Sequence, residues 1–287
     1  SGTLYANTTG NYNTATGQGA MQGNTTGAYN TALGASALLS NTTASYSTAA
    51  GYWSLKTSNA RNTAYGAFSG YQTTSGSNNT FIGDSTATDN TTGSYNTAVG
   101  DSALNKNTTA SQNTAVGYQS LICATQGCNN TAIGFGAMCN IDNSFCNTAV
   151  GMLAMGAASA GCCATANVAM GYAALCANGS GNNNVAIGAS AMLANTIGSC
   201  NVAIGAYSLY CNTTGAYNVA VGYSALCCNS IGANNMAIGY AAMYNNTIGC
   251  CNVAVGPCAL YNNTTGSLNT ALGYGALRQN TIGYCNT

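Results

Sequence analysis

The sequence predicts an all-β protein: a parallel β-solenoid (β-roll) with one 17-residue coil per rung and about 17 coils. The motif Asn-(Thr/Val)-Ala-(Val/Ile/Leu)-Gly recurs along the chain with a step of 17 residues in all but two cases. The motif alternates as a β-strand does, and turn-forming Asn, Thr and Gly residues separate one motif from the next. Residues 1–287 are therefore expected to form a single repeat solenoid.

The motif glycines fix the length of each coil. They lie at residues 17, 34, 51, 66, 83, 100, 117, 134, 151, 171, 188, 205, 222, 239, 256 and 273. The step shortens to 15 residues between Gly51 and Gly66 and lengthens to 20 between Gly151 and Gly171. We therefore expect irregular coils near 51–66 and 151–171. The first should have a shortened turn, and the second a bulged loop around Cys162 and Cys163.

Counting the motif Asn as position 0 gives the cross-section of one coil. Positions 1 and 3 are β-branched or apolar, position 8 is Leu or Met, and positions 11–14 have a turn composition. We expect positions 1 and 3 to face the interior, opposite position 8. Position 2 is Ala except at Phe81. It should then point outward, either toward a closely approaching surface such as a neighbouring chain or against a crowded turn nearby that leaves no room for a larger side chain.

The composition narrows the function. The chain has four basic and four acidic residues, a net charge of zero, and neither His nor Glu. Without a basic patch, nucleic acid is not an expected partner, and with so few acid–base groups we expect neither an enzyme nor a cofactor. The stretch from Met152 to Ala177 is apolar enough to resemble a membrane span. The repeat continues through it, so no span is predicted.

All 15 cysteines lie between Cys123 and Cys285, and their spacing does not match a zinc site. Stacked coils are ~4.8 Å apart, so residues at one position of adjacent coils are within reach of a disulfide. The candidates are Cys211–Cys228 between coils, and Cys123–Cys128 and Cys139–Cys146 within coils. Disulfides are favoured over reduced, small apolar cysteines. They indicate an extracellular location or the surface of a cell or virion.

Tyrosines and asparagines offer two further candidate sites. A surface ladder of Tyr12, Tyr29, Tyr46, Tyr95 and Tyr217 at position 16 could bind glycans or a neighbouring filament, or could pack half-buried between coils. The sequence Asn-Thr-Thr begins at Asn7, Asn24, Asn41, Asn90, Asn107, Asn212 and Asn263. It is both an N-glycosylation sequon and a composition that suits hydrogen bonding within the turn.

The motif Asn-Val-Ala-Ile-Gly at 184–188 and 201–205 resembles the head repeats of trimeric autotransporter adhesins. The complete unit from Asn96 to Gln112 is similar to repeats of phage and bacterial fibre proteins of that class. The resemblance implies a left-handed β-roll, often three chains side by side, that displays or spaces a binding end. The longer period and the cysteines depart from the adhesin-head pattern.

We therefore expect a structural subunit or segment of an extracellular fibre, with copies of itself as partners in a homopolymer or homotrimer. End-to-end assembly is expected because Ser1 follows the place of a motif Gly and Asn286–Thr287 open a new motif. One alternative is a glycan-binding adhesin stalk that uses the Tyr ladders. An ice-binding solenoid ranks last, because its Thr residues must be exposed whereas position 1 is predicted to be buried.

Overall fold

The computed structural model describes residues 2–157 and 163–287 and confirms the predicted all-β parallel solenoid. Within these residues the regular structure consists of sixteen short strands, one in each motif that is complete. They are β1 (Thr14–Thr16), β2 (Thr31–Leu33), β3 (Thr48–Ala50), β4 (Asn62–Tyr65), β5 (Asn79–Ile82), β6 (Thr97–Val99), β7 (Thr114–Val116), β8 (Thr131–Ile133), β9 (Thr148–Val150), β10 (Val168–Met170), β11 (Val185–Ile187), β12 (Val202–Ile204), β13 (Val219–Val221), β14 (Met236–Ile238), β15 (Val253–Val255) and β16 (Thr270–Leu272).

The chain divides into two compact units, Ser1–Ser144 with β1–β8 and Phe145–Thr287 with β9–β16. Inside each unit the strands are parallel and follow one another in sequence order. Thr80 pairs with Thr97 in the first unit, and Val202 pairs with Val219 in the second. Both pairs are 17 residues apart, so the register that the period predicts is confirmed.

The short step changes the turn and leaves the strands in register. Thr48 of β3 pairs with Thr63 of β4, as a 15-residue coil requires, which confirms the shortened turn. In the long step, Val168 pairs with Thr148 with its register also intact. Residues 158–162, which include Cys162 of the predicted bulged loop, lie outside the described residues.

Asn59 compensates for the residues missing from the short turn. In regular coils, the backbone N–H groups of positions 12 to 14 donate to a carbonyl oxygen of the following coil. Here the side-chain Oδ1 of Asn59 accepts from the N–H groups of Thr42, Thr43 and Ala44, at 3.2, 3.1 and 3.3 Å. Because an amide oxygen replaces a carbonyl oxygen, the preceding coil keeps its hydrogen bonds.

The prediction of which strand face is buried was wrong. The position-2 residues are buried in β2–β16, whereas positions 1 and 3 point outward; Leu33 is 44% and Ile82 41% exposed. From β1 onward, the interior is lined by Ala at position 2, a small residue at position 7 and Leu or Met at position 8, which are buried except for the half-buried Ala15, Ala276 and Leu277. The long position-8 side chain fills the narrow coil, so that only a methyl group fits opposite it.

Phe81 shows how tightly this volume is fixed. It takes the place of the position-2 alanine and is fully buried. The position-8 residues around it are Gly70 and Ala87 instead of Leu or Met. A Cβ atom on Gly70 would lie 2.9 Å from Phe81 Cδ2 and 2.8 Å from Leu55 Cδ2. One large side chain is therefore balanced by two small ones at the facing position.

Left-handed residues bend the remainder of each coil. Non-glycine residues at positions 6, 8 and 16 have positive φ, as at Ser36 (57°), Leu38 (50°) and Tyr46 (62°). The motif glycines are more restricted: Gly117 has a φ of +129°, and a Cβ atom there would lie 2.6 Å from the carbonyl oxygen of Gly134. The motif Gly is thus required both by its backbone conformation and by the close approach of the next coil.

The exchange of volume between Phe81 and Gly70 can be tested by a double-mutant cycle. Phe81→Ala should destabilise the protein by ~3–5 kcal/mol because it leaves a cavity. Gly70→Leu alone should cost ~1–3 kcal/mol because the Leu overlaps Phe81. The double variant restores the regular pattern, and Leu55 already adopts the required φ of 47°. Chemical denaturation should show that the double variant is more stable than the sum of the two changes by at least ~1 kcal/mol. Additive losses would contradict this packing.

Candidate functional site

Two asparagine side chains close most regular coils on one carbonyl group. Asn13 Nδ2 and Asn24 Nδ2 donate to the carbonyl oxygen of Gly27, at 2.7 and 3.0 Å. Asn13 Oδ1 accepts the backbone N–H of Asn30 in the next coil at 2.9 Å. Asn24 Nδ2 also donates to Asn7 Oδ1 in the preceding coil at 2.8 Å. Positions 0 and 11 therefore form two ladders of amides, which we call the asparagine ladders.

The predicted glycosylation sites belong to the position-11 ladder. Asn24, Asn41, Asn90, Asn107, Asn212 and Asn263 are fully buried, and Asn7 is half-buried. Each of these seven Nδ2 atoms donates to the carbonyl oxygen three residues later. A glycan on Nδ2 would replace a donated hydrogen and require space inside the coil. For the six buried residues the geometry therefore fits the turn alternative and leaves no room for a glycan.

The position-11 ladder is interrupted in the first unit. Asn41 Oδ1 and Asn107 Oδ1 are buried and have no hydrogen-bond partner. In the following coils, the residues at position 11 are Ser58 and Ala124. Neither places an amide donor on the oxygen, so each unsatisfied oxygen marks a break in the ladder.

Removing one rung should reveal how much the ladder contributes. Asn229 Nδ2 donates to Asn212 Oδ1, and Asn229 Oδ1 accepts from Asn246 Nδ2. Asn229→Ala leaves a buried oxygen without a donor and should cost about 2–3 kcal/mol in denaturation experiments. The control is Asn262→Ala, which removes an exposed hydrogen bond to Gln279 and a part-buried one from Asn245, leaves no fully buried oxygen unpaired and should cost less than ~1 kcal/mol. An equal loss of unfolding free energy in the two variants would show that burial of the ladder does not strengthen its contribution to stability.

The predicted disulfides are not formed. Cys123, Cys128, Cys146, Cys211 and Cys228 are free thiols in the structure, and Cys139 is half-buried. Residues at one position of stacked coils have nearly parallel Cα–Cβ bonds, whereas a disulfide needs Cβ atoms ~3.8 Å apart with converging bonds. Stacking at the strand spacing therefore does not produce this geometry. The extracellular location inferred from disulfides consequently receives no support from the cysteines.

The thiols of Cys211, Cys227 and Cys228 form a cluster with Tyr244 in the second unit. Burial, and then the proximity of Cys228 and Cys211, raise the pKa of Cys227 from 9.0 to about 11. Burial also raises the pKa of Cys228. The nearby Cys227 raises the pKa of Tyr244, which is hydrogen-bonded to it. These groups are therefore held in their neutral forms, which makes Cys227 a poor nucleophile at neutral pH.

The cluster predicts a loss of stability in alkaline solution. Because the folded state raises the pKa of Cys227, the folded state retains a proton that the unfolded chain releases. The stabilisation of the folded state by the protonated Cys227 thiol is complete below pH 9 and is lost as the pH rises toward about 11. Thermal unfolding midpoints should fall over this interval, and less steeply in Cys227→Ala. A pH profile that is identical in the two proteins would contradict the assignment.

Only part of the predicted tyrosine ladder is formed by neighbouring rings. Tyr12 and Tyr29 stack with their ring centroids 4.9 Å apart, and Tyr29 and Tyr46 stack at 5.1 Å. Tyr95 and Tyr217 occupy the same position of the repeat, but their neighbours at that position are not aromatic. All five rings are exposed.

The outward side of the strands presents a different surface in each unit. In the first unit, position 1 is Thr in all eight strands, which we call the threonine column: Thr14, Thr31, Thr48, Thr63, Thr80, Thr97, Thr114 and Thr131. In the second unit, both outward positions of β10–β15 are apolar. This apolar sheet face consists of Val168, Met170, Val185, Ile187, Val202, Ile204, Val219, Val221, Met236, Ile238, Val253 and Val255. All twelve are half-buried or exposed.

Comparisons with protein-family models, with curated proteins and with solved structures find no match to this chain. Within residues 2–157 and 163–287 there is no group of three or more His, Cys, Asp or Glu side chains that could hold a metal ion. The same residues contain no helix of the length and hydrophobicity that crossing a membrane requires.

Proposed function

We propose that this chain is a structural subunit or segment of an extracellular fibre, which assembles with copies of itself side by side and end to end. The apolar sheet face is the observation that carries the proposal. It places two columns of Val, Ile and Met on six consecutive strands, where sequence reasoning expected buried residues. The extracellular or surface location rests on the resemblance of the repeat to adhesin heads and fibre proteins.

An apolar surface of this kind favours a protein partner. Monomeric proteins rarely expose contiguous apolar patches of more than a few hundred Å². Flat β-sheets can pack face to face at about 10 Å, and burial of a Val or Ile side chain contributes ~1.5–3 kcal/mol when it is complete. The side chains of the face carry no charge, so that two copies of the face do not repel each other. A second or third copy of this chain is the proposed partner, in a homopolymer or homotrimer.

End-to-end association has a separate basis. Each coil presents to the next the same backbone groups and the same asparagine amides, in one register. Among the described residues, β1 and β16 each pair with one strand only, and exposed strand edges pair with further strands. A coil in this register can be added to them, whether it belongs to the same chain or to another copy.

The threonine column bears on the ice-binding alternative. That function ranked last because position 1 was expected to be buried, and this reason is wrong, since the column faces outward. However, the adjacent position 3 varies between Thr16, Ala50, Tyr65 and Ile82. A surface with such different side chains lacks a second regular Thr column, so the fibre proposal is preferred.

Sedimentation velocity over a range of concentrations tests the proposal. The chain should form species larger than a monomer, and the double substitution Val202→Lys with Ile204→Lys should weaken this association by about tenfold or more. The control is Ile231→Lys, which replaces an exposed Ile in a turn and should leave the association unchanged. A wild-type protein that remains monomeric at all concentrations, or an association that is insensitive to the double substitution, would refute the proposal. Circular dichroism should confirm that each variant is folded.

A further inference from the structure

A cleft of about 720 Å³ lies on the side of the first unit. It is formed by positions 5, 6 and 9 of consecutive coils, away from the outward face of the strands. Gly19, Ala35 and Ser36 line it with small side chains, and in the next coil Tyr52 and Trp53 occupy the same positions and line it with large rings. The volume is in the range that accommodates small organic ligands.

The aromatic part of the cleft is held in place by its neighbours. The rings of Tyr52 and Trp53 stack with centroids 4.8 Å apart. Tyr71 stacks on Trp53 at 5.4 Å, and Phe68 meets Trp53 edge-on at 5.6 Å. Lys56 Nζ lies 4.5 Å from the Trp53 ring centroid. Tyr52 remains 46% exposed, so a preorganised ring is accessible to a ligand.

The polar groups of the cleft are uncharged and available. Gln18, Gln22, Ser36 and Tyr5 contribute amide and hydroxyl groups to the lining. In the described part of the chain, the exposed amides of Gln18 and Gln22 make no hydrogen bond to protein groups. Each amide can both donate and accept.

We propose that this cleft binds a neutral oligosaccharide. The C–H face of a sugar ring packs on aromatic rings, and its hydroxyl groups both donate to and accept from amides. The described residues that line the cleft include no cation for a phosphate or carboxylate ligand, and the nearby Lys56 Nζ lies over Trp53 and Tyr71 and is 3.1 Å from Tyr71 Oη. A wholly apolar ligand would desolvate the two glutamine amides without pairing them. This proposal does not depend on fibre formation.

Trp53 is the only tryptophan of the chain, so its fluorescence reports on this cleft alone. The protein is titrated with hexasaccharides of β-1,4-linked glucose, α-1,4-linked glucose and β-1,4-linked N-acetylglucosamine. A sulfated hexasaccharide and a proline-rich peptide serve as probes of other chemistry. At least one neutral hexasaccharide should change the fluorescence saturably, with a Kd of about 1 mM or lower. The two other probes should not.

Variants link that signal to the cleft. Tyr52→Ala and Gln22→Ala should each weaken binding by about fivefold or more, and the side chain of Gln22 has no hydrogen-bond partner among the described residues whose loss would affect folding. The matched control is Tyr118→Ala. Tyr118 occupies position 5 of its coil as Tyr52 does, is 44% exposed and stacks on Phe135, but lies outside the cleft. Its substitution should leave binding within about twofold of wild type.

Three results would overturn the proposal. The first is the absence of a saturable change with every neutral hexasaccharide up to about 10 mM, since a Kd of 1 mM would then be visible. The second is a response to the sulfated hexasaccharide or the peptide alone. The third is binding that Gln22→Ala leaves intact, or that Tyr118→Ala weakens as much as Tyr52→Ala does.

Discussion

The fold depends on closing a 17-residue coil that contains only three or four residues of strand. In most regular coils, the asparagines of positions 0 and 11 converge on the carbonyl of position 14, as Asn184 and Asn195 do on Gly198. The same side chains bond to the neighbouring coils, as Asn184 Oδ1 does to the N–H of Asn201. Because these amides are buried, their hydrogen bonds are made away from competing water. One residue type thus closes the coil and sets its stacking distance.

This closure leaves a narrow interior, which explains the rest of the repeat. The interior holds one Leu or Met and a few methyl-sized side chains per coil, so apolar burial in a single coil is small. Each coil also contains left-handed residues such as Leu226 and Tyr217, which are unfavourable for L-amino acids. A single coil would not be stable on its own. The stabilising free energy comes from stacking on similar coils. The β-branched residues that the interior cannot accept lie on the outward face, where they are available to a partner.

The period was sufficient to predict the fold class, the strands, their register and the shortened turn before Asn62. It was not sufficient to decide which face is buried, because Val and Ile alternating at positions 1 and 3 have the pattern of a core. The sequence feature that decides the question is Phe81 at position 2. Its neighbours at position 8 are the small residues Gly70 and Ala87, which indicates that positions 2 and 8 share the interior volume. The prediction of a Cys211–Cys228 disulfide failed because it used the spacing of coils and ignored the direction of the Cβ atoms. The cleft beside Trp53 could not be predicted, since it is built from positions that vary between repeats.

Hydrogen exchange of the asparagine side-chain amides, followed by NMR, tests the central claim most directly. If the asparagine ladders close and stack the coils, the Nδ2 hydrogens of Asn195, Asn212 and Asn229 should exchange only when several coils open together. They should therefore be protected at least about a hundredfold relative to Asn262, whose amide is bonded at the exposed surface. Exchange of the ladder amides at the rate of Asn262 would contradict the account.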